Sequence, residues 1–243
     1  MPQKTLDDAL RNQLLAALPD SEREKILPAL EYIDLENGEV LWEAEEKQDH
    51  IYFPTTALIC LLHDSEAGVS VEVGITGRQG LVGVSTFMTE AAMATRAVTY
   101  REGGAYRMKA SAVKSEFAEC GDFQDICMCF TQTLIAQISQ TAICNRLHSV
   151  EQKLCRFLLY VHDHHQSDVL NLTHEQIAQA LGVRRETVSV AAASLQSNKV
   201  IKYARGRIRV PDRKKLEDFA CECYGVETAH YKQVLGKYMA KHK

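Results

Sequence analysis

The sequence has few of the features that mark membrane or secreted proteins. No continuous apolar run approaches the roughly 20 residues that span a bilayer, and residues 1–10 lack both the basic and the apolar region of a signal peptide. We therefore expect a cytoplasmic protein that does not bind a membrane. Because cytoplasmic thiol systems keep cysteines reduced, the eight cysteines are not expected to form a disulfide framework.

Catalytic signatures are also lacking. No Ser-His-Asp, Cys-His or paired-carboxylate arrangement can be argued from the spacing of residues, and no glycine-rich phosphate loop precedes a helix. The sequence thus predicts no enzyme activity, no catalytic residue and no cofactor.

Two groups of cysteines and one group of histidines are the remaining candidates for metal or redox chemistry. They comprise Cys120, Cys127 and Cys129; Cys221 and Cys223; and His162, His164 and His165 around Asp163. Neither cysteine group has the spacing of a zinc site, and cysteine is a common core residue. Neighbouring histidines at a helix end diverge, which favours a solvated turn. We expect no metal site.

The net charge of -4 conceals a strong segregation of charge along the chain. Residues 184–215 hold ten Lys or Arg and two Asp or Glu, a net charge of +8, so the other residues together carry -12. A basic segment on an acidic body is typical of a protein that presents one face to phosphates. A solvated charged surface is the alternative interpretation of the charge run alone.

The N-terminal half of the chain changes its periodicity near residue 30. The spacing of leucine and isoleucine over residues 6–30 predicts two short helices separated by Pro19-Asp20. Short apolar runs with glycine-rich turns follow over residues 32–108 and predict an antiparallel β-roll or barrel. The runs are residues 40–42, 51–53, 58–62, 69–73, 81–82 and 97–100.

A long helix is predicted from Asp122, because residues 122–140 contain neither glycine nor proline. Its apolar stripe can form a dimer seam or can pack in the chain's own core. The stripe consists of Ile126, Phe130, Leu134, Ile138 and Thr141. A second helix is predicted over residues 150–162, and a surface helix in the tail after Gly225.

Residues 173–196 predict two helices joined by a tight turn. Thr173 and Gln176 form a capping box, in which each side chain satisfies a backbone amide of the other, so a helix begins there. Gly182 stands where a chain that leaves a helix needs the left-handed conformation. Ala178 suits the close crossing of two helices, and the second helix is predicted over residues 184–196.

The second helix has one inner and one outer face. At 100° per residue, the inner face of this helix consists of Val188, Ala191, Ala192 and Leu195. The outer face consists of Arg185, Glu186, Ser189, Val190 and Ala193. The outer face can enter a major groove, where Arg pairs with guanine and Glu accepts a hydrogen bond from cytosine. Residues 200–203 and 207–210 predict a two-stranded wing whose arginines would contact phosphates. A plain helical hairpin is the alternative, but these features occurring together favour DNA binding.

The helix-turn-helix residues resemble those of a known family. Residues 173–189, THEQIAQALGVRRETVS, are similar to the helix-turn-helix of the Crp/Fnr superfamily, named for the cyclic-AMP receptor protein and the fumarate-nitrate regulator. Arg185, Glu186 and Thr187 stand on its Arg-Glu-Thr-Val signature. Residues 150–159 resemble the first helix of the family's DNA domain, and residues 51–54 with 77–83 resemble its sensor β-roll.

The resemblance implies an α+β fold in four parts. These are a cyclic-nucleotide-binding-like β-roll with N-terminal helices over residues 1–120, a dimerisation helix over 121–148, a winged helix-turn-helix domain over 149–225 and a tail helix over 226–243. It also implies a homodimer on double-stranded DNA and contact with RNA polymerase. We assign base reading to Arg185, Glu186, Ser189 and Val190, and contacts with the DNA backbone to Thr173, Arg184, Thr187, Arg205 and Arg207.

The sensor departs from the family's nucleotide-binding pattern. In the family's cyclic-nucleotide binders a Glu follows a glycine, whereas here Val84 follows Gly83. Those binders later carry the motif Arg-Ser/Thr-Ala, whereas the corresponding residues here are Thr95-Arg96-Ala97. A shift of one residue on a strand turns Arg96 to the opposite face. We therefore expect Gly83, Val84, Thr95 and Arg96 to mark a degenerate effector pocket that does not bind cyclic AMP.

The iron-sulfur branch of the family is also disfavoured, since its cluster needs four ligands with a cysteine group near the N-terminus, and no cysteine precedes Cys60.

The leading hypothesis is a homodimeric transcription regulator with an unknown effector. The rival is a small-molecule-binding module or enzyme-regulatory protein whose helix-turn-helix contacts another protein.

Overall fold

The structure is a computed structural model that describes residues 6–66, 68–89, 91–164, 168–204 and 206–241. Arg205 and His165, which the sequence singled out, lie outside these residues. The chain divides into two compact units, one formed by residues 1–61, 75–136 and 230–243, and the other by residues 62–74 and 137–229. The division cuts the long helix near residue 136, so the four predicted segment boundaries stay a prediction.

The elements up to the long helix alternate between short helices and strands. They are α1 Leu6–Ala9, α2 Gln13–Ala17, α3 Asp20–Ile26, a 3-10 turn Leu27–Ala29, β1 Leu30–Leu35, β2 Val40–Trp42, β3 His50–Pro54, β4 Leu58–Asp64, β5 Ser70–Thr76, α4 Ser85–Met88, β6 Arg96–Arg101, β7 Gly103–Lys109, α5 Ala110–Ala118 and α6 Asp122–Leu147. The strands form two sheets with the orders β1-β7-β3 and β2-β6-β4-β5. The predicted β-roll with N-terminal helices is confirmed.

The remaining elements form the helix-turn-helix region and the tail. They are α7 Val150–Asp163, β8 Val169–Asn171, α8 His174–Leu181, α9 Arg185–Ser197, β9 Lys202–Ala204, β10 Arg207–Arg209, α10 Arg213–Phe219 and α11 Cys223–Lys241. The three strands form a separate sheet in the order β8-β10-β9. The predicted wing is present, and β8 adds a third strand that the sequence reasoning missed.

Several elements of the β-roll escaped prediction. Strands β1 and β7 pair with each other over six residues, yet β7 begins with two glycines, which conceal its apolar alternation. Residues 81–82, predicted as a strand, contribute only one bridge, between Tyr52 and Val82. The N-terminal stretch forms three short helices rather than two, because Asn12 caps a separate helix with its side chain.

Helix α6 uses the predicted stripe mainly inside the chain. Ile126, Phe130, Leu134 and Thr141 are buried, and only Ile138, at 38% exposure, reaches the surface. Gly80 shows how closely Phe130 is packed, since a Cβ on this glycine would lie 2.2 Å from the phenyl ring. The proposed dimer seam therefore cannot consist of these five residues and is revised below.

A different set of apolar side chains on α6 is exposed. Met128, Ile135, Ile143 and Leu147 all lie on the surface, with Leu147 at 71% exposure. With these residues the helix is long and apolar enough, by length and composition, to cross a membrane, although it contains no unbroken apolar run. One apolar side packs in the chain and the other is uncovered, which is typical of a helix that packs on two sides.

Candidate DNA-binding site

Helix α8 begins at the predicted capping box. The Thr173 hydroxyl accepts a hydrogen bond from the backbone amide of Gln176 at 3.2 Å, and the Gln176 side chain accepts one from the backbone amide of Thr173 at 3.0 Å. Two amides that the first turn would leave unpaired are thereby satisfied. The capping box is confirmed and sets where the helix-turn-helix begins.

The turn between α8 and α9 depends on Gly182. This residue has φ 62° and ψ 37°, the left-handed conformation, and a Cβ built on it would lie 2.8 Å from Cγ2 of Val71. The amide of Val183 donates to the carbonyl oxygen of Ala178 at 3.1 Å, which closes the turn. Ala178 is buried, as expected for a small residue between two crossing helices.

Helix α9 has the two faces that its periodicity predicts. Val188, Ala191, Ala192 and Leu195 are buried. Arg185, Glu186 and Ala193 are exposed on the other side, and Val190 is 69% exposed. Arg184 is the N-cap residue and not part of the helix, while Thr187 is exposed in its first turn. The face assigned to the major groove is therefore free of internal packing.

Ser189 differs from its neighbours because its hydroxyl is already engaged. It donates to the carbonyl oxygen of Arg185 at 3.1 Å and lies 2.9 Å from Nδ1 of His174. The His174 ring stacks on Tyr203 with ring centroids 4.1 Å apart. Burial, and to a smaller extent the positive charge of Arg185, lowers the pKa of His174, so the ring is neutral at neutral pH. His174 and Tyr203 thus link α8, α9 and the wing, a role that sequence reasoning missed.

The wing presents cations outward from a buried centre. Strand β10 pairs with β9 so that Ile208 lies opposite Tyr203, and Ile208 is buried. Arg207 and Arg209 are both exposed, since side chains two apart on a strand share a face. Arg205, predicted to contact DNA from the tip of the wing, lies outside the described residues.

The charge of residues 184–215 is not all available to a ligand. Arg213 lies 2.7 Å from Asp163, also pairs with Glu217, and donates to the hydroxyl of Tyr224. Lys214 pairs with Asp218 at 2.9 Å. Arg213 and Lys214 are thus engaged within the chain, whereas Arg185, Arg207 and Arg209 are exposed.

The residues predicted to mark a degenerate effector pocket lie at the starts of α4 and β6. Val84 is buried just before α4, and the carbonyl oxygen of Thr95 accepts a hydrogen bond from the Trp42 indole at 3.0 Å. Arg96 is half-buried at the start of β6, next to fully buried Ala97, so the two side chains point to opposite faces as predicted.

A small cavity of about 20 Å³ lies in the same unit and opens to solvent. It is lined by two lysines and three hydroxyl side chains, Lys47, Lys114, Ser85, Thr86 and Thr89, among others. Val84, Thr95 and Arg96 are not in its lining. This cavity is therefore not built from the residues of the predicted degenerate pocket, and the lack of cyclic-AMP binding stays a prediction.

The cysteine and histidine groups are distributed differently from the sequence grouping. Cys120 is exposed and Cys127 is buried, while His162 pairs with Asp168 at 3.3 Å. Cys221 and Cys223, by contrast, meet two ligands from α6 and its end, Cys144 and His148. The expectation of no metal site is therefore revised below.

Comparison with known proteins supports the assignment of the C-terminal region. A family model described as the Crp-like helix-turn-helix domain matches residues 152–219. A search of curated proteins finds no significant match.

Solved structures match most of the chain. A protein described as a Crp/Fnr-family transcriptional regulator from Eubacterium rectale is 16% identical, with a TM-score of 0.69, and the match covers 86% of this chain and 98% of that one. FixK2 from Bradyrhizobium japonicum is 14% identical, with a TM-score of 0.67 and coverage of 79% and 98%. A Crp-family transcriptional regulator from Thermus thermophilus is 18% identical, with a TM-score of 0.65 and coverage of 77% and 96%. At these identities the likeness establishes the fold. Residues 152–219 thus match a Crp-like helix-turn-helix domain, and the chain shares its fold with regulators of the Crp/Fnr family.

Proposed function

We propose that this protein is a sequence-specific DNA-binding transcription regulator that acts as a homodimer on an inverted-repeat operator. The observation that carries the proposal is the exposed face of α9, where Arg185 and Glu186 stand in the first turn and small or apolar residues follow. The opposite face of the helix is buried, so the helix is held by its own domain while its outer side can enter a major groove.

The side chains of this face should prefer different base pairs at different positions of the operator. Arg185 can pair with O6 and N7 of guanine, and Glu186 can accept from N4 of cytosine. Val190 offers apolar contact, for which the thymine methyl group is the natural partner. Ser189 is held by His174 and Arg185, so it positions the helix more than it reads bases. Each half-site should then hold two G·C pairs and tend to T·A at a third position.

Contacts with the DNA backbone are assigned to residues around this face. Arg184 and Thr187 lie at the start of α9, Thr173 lies at the start of α8, and Arg207 lies on the wing. Arg205 is proposed from its sequence position alone. Such contacts fix register and affinity without sequence preference, because every nucleotide carries a phosphate.

The homodimer is proposed to form through the exposed stripe of α6. Met128, Ile135 and Ala142 recur every seven residues, the heptad spacing of a two-stranded coiled coil, and Ile143 is exposed beside them. Two recognition helices related by a two-fold axis would contact half-sites about 34 Å apart. A cytoplasmic location and contact with RNA polymerase follow from the same proposal. We do not expect cyclic AMP to be the effector.

The test begins by selecting duplexes that the chain binds from a random pool. Binding of the selected duplex is then measured by fluorescence anisotropy over a salt series. A DNA regulator should lose affinity steeply with salt, because counterions are released from phosphates. The rival, a module whose helix-turn-helix contacts a protein, predicts no duplex binding of this kind.

Substitutions at the proposed face sharpen this test. Arg185→Ala should weaken cognate binding by about 1–3 kcal/mol and relax the preference at one base pair, whereas Arg207→Ala should weaken cognate and scrambled duplexes alike. Arg11→Ala, which removes a cation from the other unit, is the control and should change neither. If Arg185→Ala lowered both affinities equally, Arg185 would be a phosphate contact and the reading face would be misassigned.

A further inference from the structure

Four side chains with metal-binding atoms converge at the C-terminal end of α6. Cys144 lies in the last turn of the helix and His148 follows one turn later, while Cys221 and Cys223 lie between α10 and the start of α11. One atom from each, three sulfurs and one ring nitrogen, lies within 4.8 Å of all the others. The three cysteines are buried together in one cluster.

Two of the distances between ligand atoms match those around a single ion of small radius, and all the others are at most 4.8 Å. Cys144 Sγ lies 3.5 Å from Cys221 Sγ, and Cys223 Sγ lies 3.5 Å from Nδ1 of His148. With Zn–S bonds of about 2.3 Å and Zn–N bonds of about 2.0–2.1 Å, a tetrahedral site separates its ligand atoms by roughly 3.5–3.8 Å. An iron-sulfur cluster would hold its thiolates around several metal atoms and would need more space.

Neighbouring polar groups are arranged as they are around bound metals. Nε2 of His148 lies 3.2 Å from a carboxylate oxygen of Glu222, so Nδ1 is the nitrogen that faces the sulfurs. A carboxylate on the far nitrogen of a ligand histidine fixes its tautomer and orientation. The Gln140 amide donates to Cys223 Sγ at 3.1 Å.

The local charge also suits a cysteine-rich site. Zn²⁺ with three thiolates carries a net charge of -1, which is costly to bury without a counter-charge. The Arg156 guanidinium is buried and lies close enough to Cys144 to interact with it electrostatically. Arg156 would offset the negative charge of the occupied site.

We propose that Cys144, His148, Cys221 and Cys223 bind one Zn²⁺ ion in a closed tetrahedral site. The ion would tie the end of α6 to the segment that joins α10 to α11, and all four ligands belong to the same compact unit. With four protein ligands no position is left open for a substrate or water, so the ion is structural.

The direct test loads the full chain, fully reduced, with Co²⁺ as a spectroscopic substitute for Zn²⁺. We expect one ion per chain, the thiolate-to-cobalt charge-transfer band and visible bands of a tetrahedral site, and loss of both on addition of Zn²⁺. His148→Cys should keep the tetrahedral bands and raise the charge-transfer intensity, because a fourth thiolate is added. These readouts use no DNA, so their failure leaves the proposed regulator function untouched.

Serine substitutions test the assignment of ligands. Cys221→Ser and Cys223→Ser should each lower metal affinity by at least tenfold, the effect expected even for the loss of a supporting group. Cys155→Ser, which alters a buried cysteine of the same unit outside the cluster, should retain metal binding. The proposal is overturned by the lack of a tetrahedral cobalt spectrum, by an iron-sulfur chromophore in its place, by a Cys144–Cys221 disulfide that persists in reductant, or by equal loss in Cys155→Ser.

Discussion

Arg156 is the residue on which the buried charges of the helix-turn-helix unit converge. Its guanidinium donates to Glu227 at 2.5 Å and to the Thr141 hydroxyl at 2.8 Å, and Glu72 lies close enough to interact electrostatically. All three charged residues are buried. One cation therefore faces two carboxylates, and burial raises the pKa of Glu72 to about 7 and that of Glu227 to about 8.

The Glu72 carboxyl should make stability depend on pH. Because its pKa is raised from 4.5 to about 7 by burial, the folded protein holds this proton more tightly than the unfolded chain. The resulting stability is complete below pH 4.5 and is lost as the pH rises to about 7. Glu72→Gln removes the buried charge and should raise the free energy of unfolding at pH 8 by roughly 1–3 kcal/mol, with little effect at pH 5.

Urea unfolding at the two pH values measures this difference. Glu24→Gln, at an exposed position, is the matched control and should leave stability unchanged at both pH values. An equal effect of Glu72→Gln at pH 5 and pH 8 would show that the carboxyl does not titrate in the folded state.

Among the elements, the turn between α8 and α9 sets the angle at which α9, the proposed recognition helix, leaves α8. Gly182 holds this turn in the left-handed region beside Val71, on the hairpin of β4 and β5. A side chain there costs about 1–2 kcal/mol from backbone conformation, and the contact with Val71 adds to it.

Gly182→Ala should therefore lower the free energy of unfolding by at least about 1–2 kcal/mol. Gly225→Ala is the comparison, because Gly225 lies within α11 with no atom near its missing Cβ, and alanine there should stabilise by about 0.5–1 kcal/mol. Both changes can be followed by thermal unfolding. Equal tolerance of the two substitutions would mean that the turn relaxes without cost.

For the molecule as a whole, a single chain leaves several apolar side chains of α6 exposed. Ile135, at 58% exposure, lies near its middle. Large apolar side chains that line one surface of a soluble protein commonly mark an interface.

Ile135→Glu should convert a dimer into a monomer, because two charges would face each other across the proposed seam. Sedimentation at micromolar concentration measures the mass. Affinity for the proposed operator should also fall, because a monomer would contact only one half-site. Val69→Glu, at another exposed apolar position, should leave the dimer intact. A dimeric Ile135→Glu variant would place the interface elsewhere.

Local sequence alone determined the helix-turn-helix and much of its chemistry. The capping box at Thr173, the left-handed Gly182 and the two faces of α9 depend on backbone geometry within a few residues, which periodicity and residue type express directly. For the same reason most strands of the β-roll and the starts of α6 and α7 were predicted closely.

Only the tertiary structure decided which surfaces and side chains meet. The stripe from Ile126 to Thr141 would be apolar in the chain's own core and equally apolar against a second chain. Only tertiary contacts, such as that of Phe130 with Gly80, distinguish these two environments. Cys144 and Cys221 are 77 residues apart in sequence, and their sulfurs are brought to 3.5 Å by the fold. Contacts of such long range leave no local pattern, because residue spacing reports the geometry of one element and not the packing of one element on another.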